Sequence, residues 1–590
     1  MMALASHSLG SVRLRRSSRL RRAASVLLFS GVMVSGPAQA QINLGSISND
    51  NLPSSVHGTV LNRITHEPIG RALVYSPDQR YAALTDDHGH FEFKFPPQES
   101  EPKGDLSAAN NAGPSSAQQV HVLQNLIPTV FMARKPGFLQ NMGDPSHGRA
   151  NATQPEMTIY LDPEALIVGH VTLPGAEGNL RIRLELYRRD VSEGQERWNS
   201  AGTFMTWSDG EFRFCELPSG TYKLVSQEQL DRDPFTFNPG GPLFGYTPVF
   251  YSSAPDFSAA LLIQLAAGAT FQANLTPVRR EYYSVKVPVG NAAAGQSMNI
   301  RVYPLGHPGP GYSLGYNFAE QMIEGMLPEG NYTLEADARG QPGSTGTLNF
   351  SVAGTAYAGA PLNLIPNSSL TVNVTEEFKS AQSAVNQRAP RGNDGSLNTV
   401  APRNLNVQVT LAPMEEFGSG EGGASQRLEG NPENTLVIPN VRPGRYRVRA
   451  ESGAGYVASI LCGGTDLMHE ALVVGPGGMS SPIEVALRDD GAEVNGKAES
   501  ASQYYVYFFP LGESFGKYRT MASNPDGSFT VEQLPPGTYL VIAFDSAQEH
   551  LAYTDQEALR NIESQGQTLH LAAGQKEHLR LKVITRGEPQ

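Results

Sequence analysis

Apolar and polar residues alternate with period two in short runs along most of the chain. Ile182-Arg-Leu-Glu-Leu186, Leu370-Thr-Val-Asn-Val374, Leu405-Asn-Val-Gln-Val-Thr-Leu411, Tyr446-Arg-Val-Arg-Ala450 and Leu579-Arg-Leu-Lys-Val583 each put every second side chain on one face. Such a strand buries one face and wets the other. Half-buried strands at this spacing predict two-layer sandwiches. Tyr504-Tyr-Val-Tyr-Phe-Phe509 reads as a core strand, and Asp555–Glu563 is the one segment whose pattern predicts a helix.

A phrase recurs on top of this alternation: Leu217-Pro-Ser-Gly-Thr-Tyr222, Leu327-Pro-Glu-Gly-Asn-Tyr332, Val441-Arg-Pro-Gly-Arg-Tyr446 and Leu534-Pro-Pro-Gly-Thr-Tyr539. Ten positions before each tyrosine stands an apolar residue, Phe212, Met322, Leu436 and Phe529. Asp209-Gly and Asp526-Gly open two of the copies as tight turns. The phrase predicts two strands with a chain reversal at the Pro/Gly step, repeated at a domain-sized interval. Val56-His-Gly-Thr-Val60, Ile167-Val-Gly-His-Val171 and Val494-Asn-Gly-Lys-Ala498 mark module starts. Glycine inside a strand signals a bulge or a close backbone approach, and here it is expected to let the first strand bend from one sheet to the other.

Val56-His-Gly-Thr-Val60, Pro68-Ile-Gly-Arg-Ala-Leu-Val74, Thr85-Asp-Asp-His-Gly-His-Phe-Glu-Phe93 and Ala133-Arg-Lys-Pro-Gly-Phe138 together resemble the carboxypeptidase regulatory-like domain. The C-terminal half, with Gly455–Asp466 and Asp526–Tyr539, resembles the tandem form found in acidobacterial secreted proteins. The resemblance implies a seven-stranded, transthyretin-like sandwich grouped with carbohydrate-binding-like folds, and it implies no catalysis. The expected fold is all-β, about five tandem Ig-like or transthyretin-like modules. Their expected bounds are 54–163 with a flexible insertion near 98–119, 165–279, 280–377, 404–489 and 490–585, with a linker at 378–403.

Composition adds compartment. Six arginines between Arg13 and Arg22, an apolar run over Ala23–Val34 and Ser35-Gly-Pro-Ala-Gln-Ala40 have the three parts of a secretory signal peptide cleaved after Ala40. The run is too short to span a bilayer, which needs roughly 20 residues. The formal charge is −12 and grows more negative once those arginines leave. That balance argues against a nucleic-acid partner. Glycine (60) and proline (42) are abundant and fall at turn positions. With only two cysteines, Cys215 and Cys462, no disulfide framework is expected; both read as small buried hydrophobes, a long-range bridge being the alternative.

No H-E-x-x-H, nucleophile elbow, Walker loop or C-x-x-C occurs. Gly418-Ser-Gly-Glu-Gly-Gly423 fits G-x-G-x-x-G but opens no helix, so it reads as a hairpin loop. Asp86-Asp87-His88-Gly89-His90 has metal-binding residue types, against an ordinary solvated hairpin turn. Neither a cofactor nor a catalytic residue is expected. Trp198, Trp207, Phe244, Tyr246 and Tyr251 are the candidates for sugar contact, the competing reading being a small satellite core under a long loop. The expected function is a non-catalytic, exported structural, adhesive or ligand-binding protein of the envelope. Its modules would form a semi-extended rod holding a polysaccharide or another envelope protein. The alternatives are a carbohydrate-binding accessory protein of glycan uptake or degradation, and a periplasmic partner of an outer-membrane transporter.

Overall fold

The computed structural model describes residues 55–584, apart from 96–129, 140–155, 176–179, 233–241, 380–406, 416–424, 428–434, 499–502, 512–517, 549–559 and a few shorter stretches. The signal segment, the 98–119 insertion, the Gly418–Gly423 loop and most of the linker and helix expectations lie outside these residues. Arg560, Ile562 and Glu563, the described part of the predicted helix, are helical. Apart from these residues and Lys379, the described chain is strand, turn and loop, in paired sheets that enclose five main apolar cores.

One rule of pairing repeats five times. A first strand lies between an antiparallel neighbour and a parallel one. Ser55–Asn62 is flanked by His90–Lys94 and Glu156–Leu161. Ala165–Val171 is flanked by Glu211–Leu217 and Thr270–Leu275, and Ala492–Ala498 by Ser528–Leu534 and Lys576–Leu581. Arg279–Gly290 pairs with Met322–Pro328 and, in parallel, with Tyr357–Ala358 and Leu362–Asn363. Ser368–Glu376 pairs with Thr435–Val441 and Ile483–Arg488. This last pairing moves a boundary: Leu370–Val374, expected to end the third module, lies inside a sheet of the fourth, between Thr435–Val441 and Ile483–Arg488. Its alternation is that of any half-buried strand, and its partners are more than sixty residues downstream, so local pattern could not place it.

The start-phrase glycines have a different cause from the one expected. Gly58, Gly169 and Gly496 do not turn the strand into the other sheet; pairing continues through each of them. Each faces a phenylalanine, Phe91, Phe212 and Phe529, in the antiparallel neighbour. A Cβ on Gly169 would stand 1.6 Å from the Ala273 carbonyl oxygen and 2.7 Å from Phe212 Cζ. At Gly496 it would stand 2.3 Å from Phe529 Cζ and 2.8 Å from Leu579 O. The missing side chain makes room for an aromatic ring and for the parallel strand. Phe212 and Phe529 are 2% and 1% exposed, so each ring contributes about 2 kcal/mol of burial.

The recurring phrase carries the chain between the two sheets of a sandwich. Glu211–Leu217 and Gly220–Ser226 belong to different sheets, as do Met322–Pro328 and Gly330–Ala338, Thr435–Val441 and Gly444–Glu451, and Ser528–Leu534 and Gly537–Phe544. The reversal is therefore an arch over the core, where a hairpin would have kept both strands in one sheet. Its tyrosine fastens the arch: the hydroxyls of Tyr222, Tyr332, Tyr446 and Tyr539 donate to the carbonyls of Pro218, Pro328, Arg442 and Pro535 at 2.6, 2.9, 2.9 and 2.7 Å. This is the tyrosine corner of sandwich domains.

The ten-residue spacing has its own origin. Before the arch, the strands of the second, fourth and fifth modules carry a β-bulge at Glu216, Asn440 and Gln533, with φ of 56°, 60° and 56°. A bulge inserts one residue. In the third module the pairing runs without a shift, and the fully buried residue is Ile323, not the expected Met322.

Polar contacts anchor the module junctions. Leu139 N donates to Asp162 O at 2.8 Å and Glu164 N to Gly137 O at 3.0 Å beside the first junction. At the third–fourth junction Asn440 Oδ1 accepts from Gly343 N (2.8 Å) and Asn367 Nδ2 (3.0 Å), and Arg442 pairs with Asp337. Asp489 and Asp490 anchor the fourth–fifth junction through Lys379 N (2.8 Å), Lys379 Nζ (2.6 Å) and Tyr456 Oη (2.9 Å). The second–third junction is a shared sheet. Gln229–Leu230 and Leu243–Tyr246 leave the second module, and Leu243–Tyr246 pairs antiparallel with Arg279–Tyr282 of the third.

Candidate functional site

The five candidate sugar-contact aromatics are not brought to one surface. Trp198 is 7% exposed, in a satellite core with Tyr187, Val225, Phe250 and Phe257 on the outer side of the second module's larger sheet. The buried Lys223 ammonium lies 5.0 Å from its ring centroid and 4.4 Å from that of Phe257, and donates to Phe257 O at 2.6 Å. A ring already covered by a cation and by protein offers no face to a sugar. Tyr246 is fully buried, its hydroxyl donating to Pro174 O at 2.9 Å. Phe244 lies under the Arg279 guanidinium at 4.5 Å, in the strand shared between modules. Tyr251 is half-buried, edge-on to Phe271. Only Trp207 of the five stands well exposed, at 47%, braced edge-on by Phe204 at 5.2 Å.

The turn at Asp86–His90 uses its own carboxylate. Asp86 Oδ1 accepts from the amides of His88 (2.9 Å) and His90 (2.8 Å), which holds its carboxyl below the usual range. Among the described residues no group of three or more metal-ligating side chains converges. Both cysteines are free; Cys462 is buried, whereas Cys215 is exposed, against expectation, because it lies on the outward face of its strand beside the bulge.

A cavity of about 370 Å³ opens where the second module hands over to the third. Glu228 and Leu230 come from the departing segment of the second module. Gly315, Tyr316 and Asn317 come from a short edge strand of the third, and Glu324, Gly325 and Met326 from its neighbour. Glu228 Oε1 accepts from Ser313 N at 2.7 Å, while its Oε2 is buried without a hydrogen-bond partner. Burial pushes the carboxyl up to about 7 against the opposing pull of the Ser313 amide. Asn317 Nδ2 donates to Glu324 Oε1 at 3.0 Å. The lining thus carries two acidic side chains, and the Asn317 amide is already engaged by one of them. Sequence reasoning missed this site: nothing in Ser226-Gln-Glu-Gln229 marks its glutamate, and only the strand exchange between modules buries it.

No family model and no curated protein matches the chain. Solved structures to which it is similar include the TIE protein of Bacillus anthracis, at 10% identity over 69% of this chain and 69% of that one, with a TM-score of 0.14. A streptococcal ancillary pilin aligns at 12% identity over 51% and 99% of the two chains, TM-score 0.15. The major pilin subunit of Bacillus cereus aligns at 9% over 55% and 99%, TM-score 0.14. Identities and scores this low carry no argument about what this chain binds or builds.

Proposed function

We propose that this chain is a non-catalytic, exported structural or adhesive protein of the cell envelope, built from tandem modules of the carboxypeptidase regulatory-like kind. The observation that carries the reading is the repetition of one sandwich plan, with Gly–Phe pairs in three modules and tyrosine corners in four, joined through polar ties and one shared sheet. Such construction spends sequence on holding modules to one another. The signal-like N-terminus adds the export. Fractionation of the native cells, followed by pull-down from the envelope, tests it: enrichment outside the cytosol with an envelope partner is expected. A cytosolic pool with an intact first segment would overturn it.

Trp207 favours a second reading, glycan contact, because a half-exposed indole braced by Phe204 presents a free ring face. Trp207→Ala is expected to abolish any glycan-array signal of the full chain. A signal unchanged by that substitution refutes contact through this residue.

A further inference from the structure

We propose that the cavity between the second and third modules binds a small organic cation, a primary ammonium on a ring or short apolar body, with Glu228 Oε2 receiving the ammonium. Three features carry this. A buried carboxylate oxygen without a donor is an unmet demand for a hydrogen bond, and a charged donor meets it best. Glu324, held by Asn317, adds a second acidic group to the same wall, which disfavours anions. Tyr316, Leu230 and Met326 supply the ring and apolar surface for the ligand body, and Gly315 and Gly325 leave the room. At about 30 Å³ per heavy atom, the cavity holds roughly a dozen of them, within the lower range of small-molecule sites.

The charged groups around Glu228 leave it to set the pH response. Tyr282 and Tyr332, which sense its charge, are pushed up by burial, and Tyr312 is pushed up to about 12, so all three stay neutral near pH 7. Arg280 acts on the same tyrosines, and Glu324 shares the cavity wall. An ammonium binds the ionised form of Glu228, so affinity rises with pH.

The test is calorimetric titration of the full chain with cyclohexylamine, a cation from pH 6 to 8, and with neutral cyclohexanol. Cyclohexylamine is expected to bind about tenfold tighter at pH 8 than at pH 6, following ionisation of a carboxyl near 7. Glu228→Gln is expected to lose at least tenfold at pH 8, and cyclohexanol to bind at least tenfold more weakly than the amine. Gly315→Leu fills the cavity and keeps the carboxyl; its Cβ meets nothing nearer than Glu324 O at 3.8 Å, and it should also lose the amine. Ethanolamine separates the two parts of the ligand: binding weaker than that of cyclohexylamine supports the contact with Tyr316. Equal binding of alcohol and amine, unchanged binding in either variant, or no binding of cyclohexylamine at pH 8 overturns the proposal. These outcomes bear on the cavity alone and leave the envelope assignment untouched.

Discussion

Glu228→Gln removes a carboxyl whose neutral form the fold favours, and the consequence is a stability profile that changes with pH. Its folded value of about 7 stands above the ordinary 4.5, so the native state binds the proton more tightly than the unfolded chain. The stabilisation is complete below pH 4.5 and is lost as pH rises through about 7. At 1.36 kcal/mol per unit, the interval is worth about 3 kcal/mol. Residual exposure of the Glu228 side chain lowers the expected effect to about 2 kcal/mol. Glutamine keeps an acceptor for Ser313 N and does not ionise. Its amide nitrogen takes the place of an oxygen that has no hydrogen-bond partner, which costs about 1 kcal/mol at every pH. The readout is therefore the slope, not the offset. Thermal unfolding of the full chain between pH 5 and 8.5 should show a transition that falls with pH in the wild type and stays flat in the variant. For two modules melting together the two should diverge by roughly 4–8 °C. Parallel profiles would refute the reasoning, because they would mean that Glu228 is solvated and ionised throughout.

The start-phrase glycines should rank by what a methyl group would strike. Gly169→Ala meets the Ala273 carbonyl at 1.6 Å and should cost several kcal/mol, Gly58→Ala meets Met157 O at 2.1 Å, and Gly496→Ala mainly meets the Phe529 ring. Phe529→Leu should then partly rescue Gly496→Ala in a melting assay, while Phe212→Leu should leave Gly169→Ala unrescued. Asn440→Ala releases Gly343 N and Asn367 Nδ2 together and should cost about 2 kcal/mol, read as faster proteolysis at the third–fourth junction with the cores still protected from hydrogen exchange. Cys215 should react with a thiol reagent in the native protein, whereas Cys462, buried and with its thiol pushed up, should react only after unfolding.

Period-two alternation and the Leu-Pro-x-Gly-x-Tyr phrase made the strands and the repeat legible, since both are written locally. What a strand pairs with is not. Tyr222 and its counterparts read as the start of a second strand after a chain reversal, and an arch and a hairpin share the same turn residues; only the partners each strand finds within its own sheet separate them. Tyr504–Phe509 reads as a core strand, and it serves two cores: Val506 and Phe508 face the sandwich core while Tyr507 and Phe509 face a second cluster with Leu540, Ile542 and Phe544. Trp198 is hidden in the same way by the chain around Phe257. In both places a segment distant in sequence covers the outer sheet face, which no window of ten residues records.

The strand lent by the second module changes what counts as a unit of inheritance. Leu243–Tyr246 covers the start of the edge whose remainder is closed by Tyr357–Ala358 and Leu362–Asn363. A recombination event that moved 280–367 alone would carry away a sheet with unpaired amides at Tyr282 and a cavity with one wall missing. The second and third modules are therefore expected to be inherited as a pair, since a duplication that copied only one would have to repair the edge it exposes.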